Sequence, residues 1–246
     1  MKLGFYATRI QAQVMKEQDE LDSAYDRCPD ASLYWCFIDL KNSSNYRIVH
    51  GAKDGYIRAE TFFALINEVI GPCPEIRLIK EIGDEVLLAA TAFKPLFESL
   101  LLADHVARQL SSLTGSAQFP FGIRGAIGYG LAKRLLRRRE DYLGSPIDRL
   151  ARIMGTRSEV SNLLLDEEAY SESAEILKDY VPEIEIGQPR LIASEQVKGL
   201  LSNVYFREII VARERLGETG RHFAPWRKDP VPIMSMLPDS LSDAAK

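Results

Sequence analysis

Residues 33 to 40, LYWCFIDL, constrain the architecture more than any other stretch of the chain. They are apolar almost throughout and rich in β-forming aromatics, without the polar alternation of a half-wet strand, so the segment fits a central strand covered on both faces. Such a strand needs neighbours in a sheet and helices to cover it. Its single charge, Asp39, falls at the strand end.

The remaining sequence supplies those parts. After a polar loop, KNSSNYRIVHGAKDG, residues 58 to 70 carry Phe62, Phe63, Ile66, Val69 and Ile70 at helical spacing and stop at Gly71-Pro72. EIRLIKEIGDEVLLAA reads as two strands joined at IGD, with Gly83 and Asp84 at the hairpin tip. Phe93, Leu96, Leu100, Ala103, Ala107 and Leu110 then share one helical face. FPFGIRGAIGYG, 119 to 130, alternates as a strand does, and its glycines mark places of close approach to the backbone. The basic run KRLLRRRED precedes YLGSPIDRLARIM, whose second part predicts a short helix over 146 to 155. NLLLD, EEAYSESAEILKD, PRLIAS and NVYFREIIVA continue as strand, helix and two strands.

That order predicts an α+β fold, a ferredoxin-like sandwich in which an antiparallel-rich sheet carries its helices on one face. Residues 8 to 27 read as a surface helix, and the domain proper starts near Leu33. The expected division is a helical extension over 1–32, one catalytic domain over 33–216 and a poorly ordered tail over 217–246, where prolines and small polar residues break periodicity.

Composition narrows the function. A chain of 246 residues, 46% hydrophobic, can bury a sizeable core, and a net charge of -4 argues against general nucleic-acid binding. Cys28, Cys36 and Cys73 form neither a CxxC pair nor, with three histidines, a zinc pattern, which fits a reducing cytoplasm. No window approaches the roughly 20 apolar residues that span a bilayer, so no membrane partner is expected.

If the strand ending in Asp39 neighbours the hairpin tipped by Asp84, two carboxylates converge at one sheet end without a local cation. Paired carboxylates in a partly dry site repel unless a cation lies between them, and oxygen donors of this kind suit Mg²⁺ or Mn²⁺. A blander arrangement, one aspartate capping a turn and the other solvated, fits the same residues. The residues alone leave both open.

FIDLKNSS, KEIGDEVLLAA, FGIRGAIGYG and DYLGSPIDRLARI, in that order, resemble the signature of the class III nucleotidyl cyclases, the adenylate and guanylate cyclases. Their pattern runs F-x-D at a strand end, a K-x-x-G-D hairpin, an R-x-G-I-x-x-G strand and D-x-x-G-x-x-(V/I)-N-x-(A)-x-R. The fourth element is the most specific, matching in its acidic, glycine and arginine positions. The resemblance spans residues 33 to 212 and implies site roles. Asp39, Asp84 and the backbone carbonyl of Leu40 fall on the ligands of two divalent cations, Mn²⁺ or Mg²⁺. Lys80 and Asp141 fall on the pair that reads the base in adenylate cyclases. Arg152 falls on the arginine that stabilises charge developing on the α-phosphate, and Lys198, a weaker match, on the lysine that holds the terminal phosphates. In the family these groups come from two chains, so the resemblance implies a head-to-tail homodimer with two shared sites, inactive as a monomer.

Two departures stand out. Asp148 replaces the asparagine that orients the ribose, and as an acid it suits a ribose hydroxyl or Arg152 better than a phosphate. KNSSNYR replaces the usual small-residue loop, and its Tyr46 adds bulk on the nucleotide side. Such altered stand-alone chains resemble the pyrimidine cyclases of bacterial anti-phage defence, the Pycsar systems, which make cyclic UMP or cyclic CMP for a separate effector. An adenylate cyclase is the alternative, since Lys80 and Asp141 match the adenine-reading pair. GDEV at 83 to 86 is similar to the GGDEF element of diguanylate cyclases but lacks its first glycine. An inactive cyclase-like binding module is the remaining reading. It would be expected to lose a metal aspartate or the arginine, and neither is lost.

Overall fold

The computed structural model describes residues 2–114, 118–135, 141–156, 161–180, 183–193 and 203–211. Two N-terminal helices, α1 (Lys2–Lys16) and α2 (Gln18–Asp26), lead into β1 (Asp30–Leu40). No residue of α2 is buried. Then come α3 (Ser43–His50), α4 (Ala52–Ile70), β2 (Ile76–Ile82), β3 (Glu85–Ala90), α5 (Phe93–Thr114) and β4 (Ile123–Leu135). The chain continues with β5 (Asp141–Leu143), α6 (Ser145–Gly155), β6 (Leu163–Asp166), α7 (Glu167–Lys178), β7 (Ile184–Ile186), β8 (Arg190–Ile192) and β9 (Val204–Val211).

The strand order β2-β3-β1-β4-β6-β9-β7 puts β1 inside the sheet, antiparallel to both β3 and β4. Its first four strands have the βαββαβ order of a ferredoxin-like unit. Even-numbered β1 residues Tyr34, Cys36, Ile38 and Leu40 join the core under α4, α5 and α7. Odd-numbered Leu33, Trp35 and Phe37 join a second core with Leu150, Ile153 and Met154 of α6. The double burial read from LYWCFIDL therefore holds, and each fully covered side chain such as Trp35 contributes roughly 1.5–3 kcal/mol.

The structure corrects two expectations. Helices occupy both faces, because α6 packs opposite α4, α5 and α7. The polar stretch after β1 is largely helical: once Asn42 has turned the chain at φ 57, no proline or glycine interrupts residues 43 to 50. The β4 glycines make room for the protein itself. A Cβ on Gly125 would lie 2.4 Å from Leu100 Cδ1, and one on Gly128 would lie 2.7 Å from Asp166 Oδ2 and 3.0 Å from Leu150 Cγ. Gly144, just before α6, packs on Leu131 and Ala132 in the same way. The end of the basic run, Lys198 and the tail beyond Gly217 lie outside the described residues.

Candidate active site

The end of β1 is built by three strands. Leu40 N–H donates to the Asp84 carbonyl at 3.1 Å, so β1 finishes against the hairpin tip, where Gly83 takes φ 67. N–H and C=O of one strand residue project to the same edge, and the Leu40 carbonyl therefore also faces that tip. Lys41 N–H donates to the Gly122 carbonyl at 2.9 Å and closes the other edge against β4. Ser43 donates its hydroxyl to the Asp84 carboxylate.

Register then places side chains. Asp39 lies opposite Glu85 on one side and Arg124 on the other, and all three continue the face occupied by Phe37, Leu87 and Ala126. Arg124 Nη2 lies 3.3 Å from Asp39 Oδ2 and Nη1 donates to the Thr156 carbonyl at 3.3 Å, linking the strand end to the end of α6. Burial, with the Asp84 charge behind it, pushes the Asp39 carboxyl up to about 6, while Arg124 pulls the other way. Burial and Asp39 push Glu85 up to about 7. Excess negative charge in a half-dry pocket is the environment a hard cation relieves. Among the described residues, no group of three or more His, Cys, Asp or Glu side chains is placed to hold a metal ion. Asp39, Asp84 and the Leu40 carbonyl would offer oxygen donors only, the kind that Mg²⁺ and Mn²⁺ complete with water and phosphate. The residues present fit the metal that the sequence implies.

Lys80 and Asp141, 61 residues apart, are brought together at 2.7 Å. A bulge between Leu78 and Lys80 sets Lys80 opposite Leu87, on the same sheet face as Asp39. The β4–β5 arm folds back over that face: Tyr142 is buried, its ring 4.8 Å from Trp35, and Trp35 Nε1 donates to the Gly130 carbonyl at 3.1 Å. Asp141 is thereby delivered to β2.

On α6 the two arginines separate. Arg149 Nη2 bonds Asp166 Oδ2 and the Tyr129 carbonyl, each at 2.9 Å, and pins the helix to β4 and β6. Asp166 is fully buried and caps α7 by accepting from Ala169 N–H at 2.6 Å. Arg152 lies one turn on, partly exposed, and has no ion partner among the described residues. Asp148 is exposed, and no hydrogen bond joins it to Arg152. Tyr46 is on α3 with its ring against Arg58, His50 and Phe119.

The sequence patterns assign no role to Glu85, Arg124 or Arg58. Arg124 was legible in principle, because it is the arginine of the R-x-G-I-x-x-G strand.

No family profile matches the sequence, and no curated protein is similar to it in sequence. Solved structures are similar. The adenylyl cyclase CyaB from P. aeruginosa superposes with a TM-score of 0.60 at 16% identity, covering 76% of this chain and 97% of that one. The fold is that of adenylyl and guanylyl cyclases. The guanylate cyclase domain of RhGC from Catenaria anguillulae, in complex with GTP, gives a TM-score of 0.57 at 14% identity over 75% of this chain and 100% of its own. A bacterial light-regulated adenylyl cyclase gives 0.57 at 14% identity over 79% and 99%. The cyclase fold thus accounts for about three quarters of the chain. No helix of the described residues is long and apolar enough to cross a membrane.

Proposed function

We propose that this chain is a nucleotidyl cyclase that converts a pyrimidine nucleoside triphosphate, UTP or CTP, to its 3′,5′-cyclic monophosphate and pyrophosphate. The observation that carries the reading is the shared sheet face. Asp39, beside the hairpin tip of Asp84, and the Lys80–Asp141 pair occupy one face, and Arg152 stands on the helix that covers it.

Asp39, Asp84 and the Leu40 carbonyl would hold two divalent cations, Mn²⁺ or Mg²⁺. Bound there, the cations supply positive charge to the triphosphate and acidify the ribose 3′-hydroxyl. Lys80 donates to the base and Asp141 accepts from it. Arg152, permanently charged and planar, offsets charge on the α-phosphate as the 3′-oxygen bonds to phosphorus and the bond to the β-phosphate oxygen breaks. Asp148 accepts from a ribose hydroxyl, Tyr46 narrows the space beside the nucleotide, and Lys198 holds the terminal phosphates. Asp39 serves one site and Arg152 the other in a head-to-tail homodimer. Asp148 and the KNSSNYR segment support the pyrimidine choice. They also support a place among cytoplasmic anti-phage enzymes whose product activates a separate effector. The engaged Lys80–Asp141 pair favours a second reading, an adenylate cyclase making cyclic AMP.

Incubation of the purified protein and Mn²⁺ with each of the four NTPs, with products separated by chromatography and weighed by mass spectrometry, tests both. Cyclic UMP or cyclic CMP is the expected product, lost in Asp39→Ala. Cyclic AMP as sole product refutes the pyrimidine reading, and no cyclic nucleotide from any NTP refutes the cyclase reading.

A further inference from the structure

Arg58 of α4 is 6% exposed, yet among the described residues it faces no carboxylate. Its Nη2 donates to the Pro120 carbonyl at 2.8 Å and the Lys41 carbonyl at 3.2 Å, and its Nη1 to the Phe119 carbonyl at 3.3 Å. The guanidinium lies over two rings, 4.6 Å from the Tyr46 centroid and 5.1 Å from that of Phe121, and its Nε is buried without a partner. A charge buried against carbonyls alone is costly, and an apolar side chain would fill this space at lower cost. What a guanidinium adds is orientation: a planar fork reaching several carbonyls while packing on aromatic rings, which an ammonium cannot do.

The carbonyls it holds are particular ones. Lys41 follows Leu40, and Pro120 leads through Phe121 and Gly122 into β4. The two segments meet at the Lys41 to Gly122 hydrogen bond, one residue beyond the Leu40–Ile123 pair and two beyond Asp39–Arg124. One nitrogen therefore ties the turn leaving β1 to the chain entering β4, where the candidate metal donors end.

We infer that Arg58 is a positioning residue: by fixing the Lys41 turn it aims the Leu40 carbonyl and the Asp39 carboxylate at the divalent cation, and Tyr46 closes the stack over it. This rests on the cation site of the proposed cyclase reading, and it gives Tyr46 a second task, supporting the turn from behind.

The test compares the full-length protein with Arg58→Lys and Arg58→Met, titrating Mn²⁺ by the electron paramagnetic resonance of the free ion alongside melting and turnover. Partners that orient metal ligands typically govern affinity by about 10- to 100-fold. A weakening of Mn²⁺ affinity in that range is expected in both variants. In Arg58→Lys, kcat at limiting Mn²⁺ should fall while KM for the nucleotide holds, and excess Mn²⁺ should restore kcat. A lower melting temperature with unchanged Mn²⁺ affinity per folded molecule overturns the inference. Where neither Arg58 variant folds, Tyr46→Leu removes one of the two rings, and an unchanged Mn²⁺ affinity there overturns it equally. Wild-type protein that binds Mn²⁺ but cyclises nothing refutes the cyclase reading while the affinity comparison still decides Arg58. Wild-type protein that binds no Mn²⁺ overturns both.

Discussion

Arg149→Met and Arg152→Met should separate an anchor from a functional group on one helix. Arg149 is the cation beside Asp166, whose fully buried carboxyl burial pushes up to about 6 from 3.8. At about 1.4 kcal/mol per pH unit, holding that carboxylate ionised at neutral pH already costs about 3 kcal/mol. Removing the partner of a buried charge costs roughly 3–5 kcal/mol, and each kcal/mol shifts Tm by about 2–4 °C at this size, so Arg149→Met should melt roughly 6–20 °C early at pH 8. The sign with pH follows from the raised value. The folded state holds the Asp166 proton more tightly than the unfolded chain, so this group's contribution to stability is fullest below about 4 and is lost as pH rises through about 6. Loss of Arg149 moves the folded value higher still. The gap between Arg149→Met and wild type should therefore shrink as pH falls towards 5, where Asp166 is protonated in both. Arg152→Met removes no ion pair seen among the described residues and should stay within about 0.5 kcal/mol of wild type, yet lose about 10²–10³ in turnover. Calorimetric melts from pH 5 to 8 and a cyclic-nucleotide assay check both. An Arg152→Met protein that melts earlier than Arg149→Met, or that turns over normally, would refute the reasoning.

Two further outcomes follow from the same geometry. Protons would compete with Mn²⁺ for Asp39 and discharge its neighbour Glu85, whose folded-state values of about 6 and about 7 lie above the ordinary carboxylate range. Mn²⁺ affinity measured by isothermal titration should weaken as pH falls from 7.5 to 5.5, and a flat profile would count against Asp39 as a ligand. Gly128→Ala sets a Cβ against Asp166 and Leu150, so chemical denaturation should show a loss of about 1–3 kcal/mol.

The sheet was legible because its signals are local. Eight apolar residues ending in Asp39, and a Gly-Asp turn between two apolar runs, need no tertiary knowledge to read. Helix α3 was missed because SSNYRIVH has weak helix formers and no apolar stripe. Its start depends on the left-handed turn at Asn42 and the hydrogen bond from Ser43 to Asp84, a contact 41 residues away in sequence. Arg149 and Arg152 look alike in DRLAR, and only the position of Asp166 and the Tyr129 carbonyl tells them apart. The β4 glycines suggested close approach, but the identity of what approaches, Leu100, Leu150 and Asp166, belongs to helices and strands elsewhere in the chain. The covering of both sheet faces was implied by LYWCFIDL itself. Assigning every helix to one face ignored that α6 follows an arm folded back across the sheet.

The Lys80–Asp141 pair also carries a prediction about the base. With side-chain exposures of 34% and 23%, the ion pair contributes under about 1 kcal/mol to stability, so its interest lies in the order of its two ends along a nucleobase edge. Lys80 can only donate and ionised Asp141 can only accept. Adenine and cytosine each present an exocyclic amine, whereas guanine and the thymine-type ring, shared by uracil, present an exocyclic oxygen at the corresponding place. An Asp141 set against that exocyclic group would accept from the amine and repel the oxygen, so on the proposed reading the pair would sort CTP and ATP from UTP and GTP, and the size of the pocket would sort pyrimidine from purine. Asp141→Asn keeps the shape and adds a donor, since the amide turns either its oxygen or its nitrogen to the base. The ratio of kcat/KM for CTP to that for UTP should fall at least tenfold in Asp141→Asn, with little change in melting temperature. A ratio that stays at the wild-type value would show that Asp141 does not face the exocyclic group, and the Lys80–Asp141 contact would then stand as a structural tie between β2 and the folded-back arm.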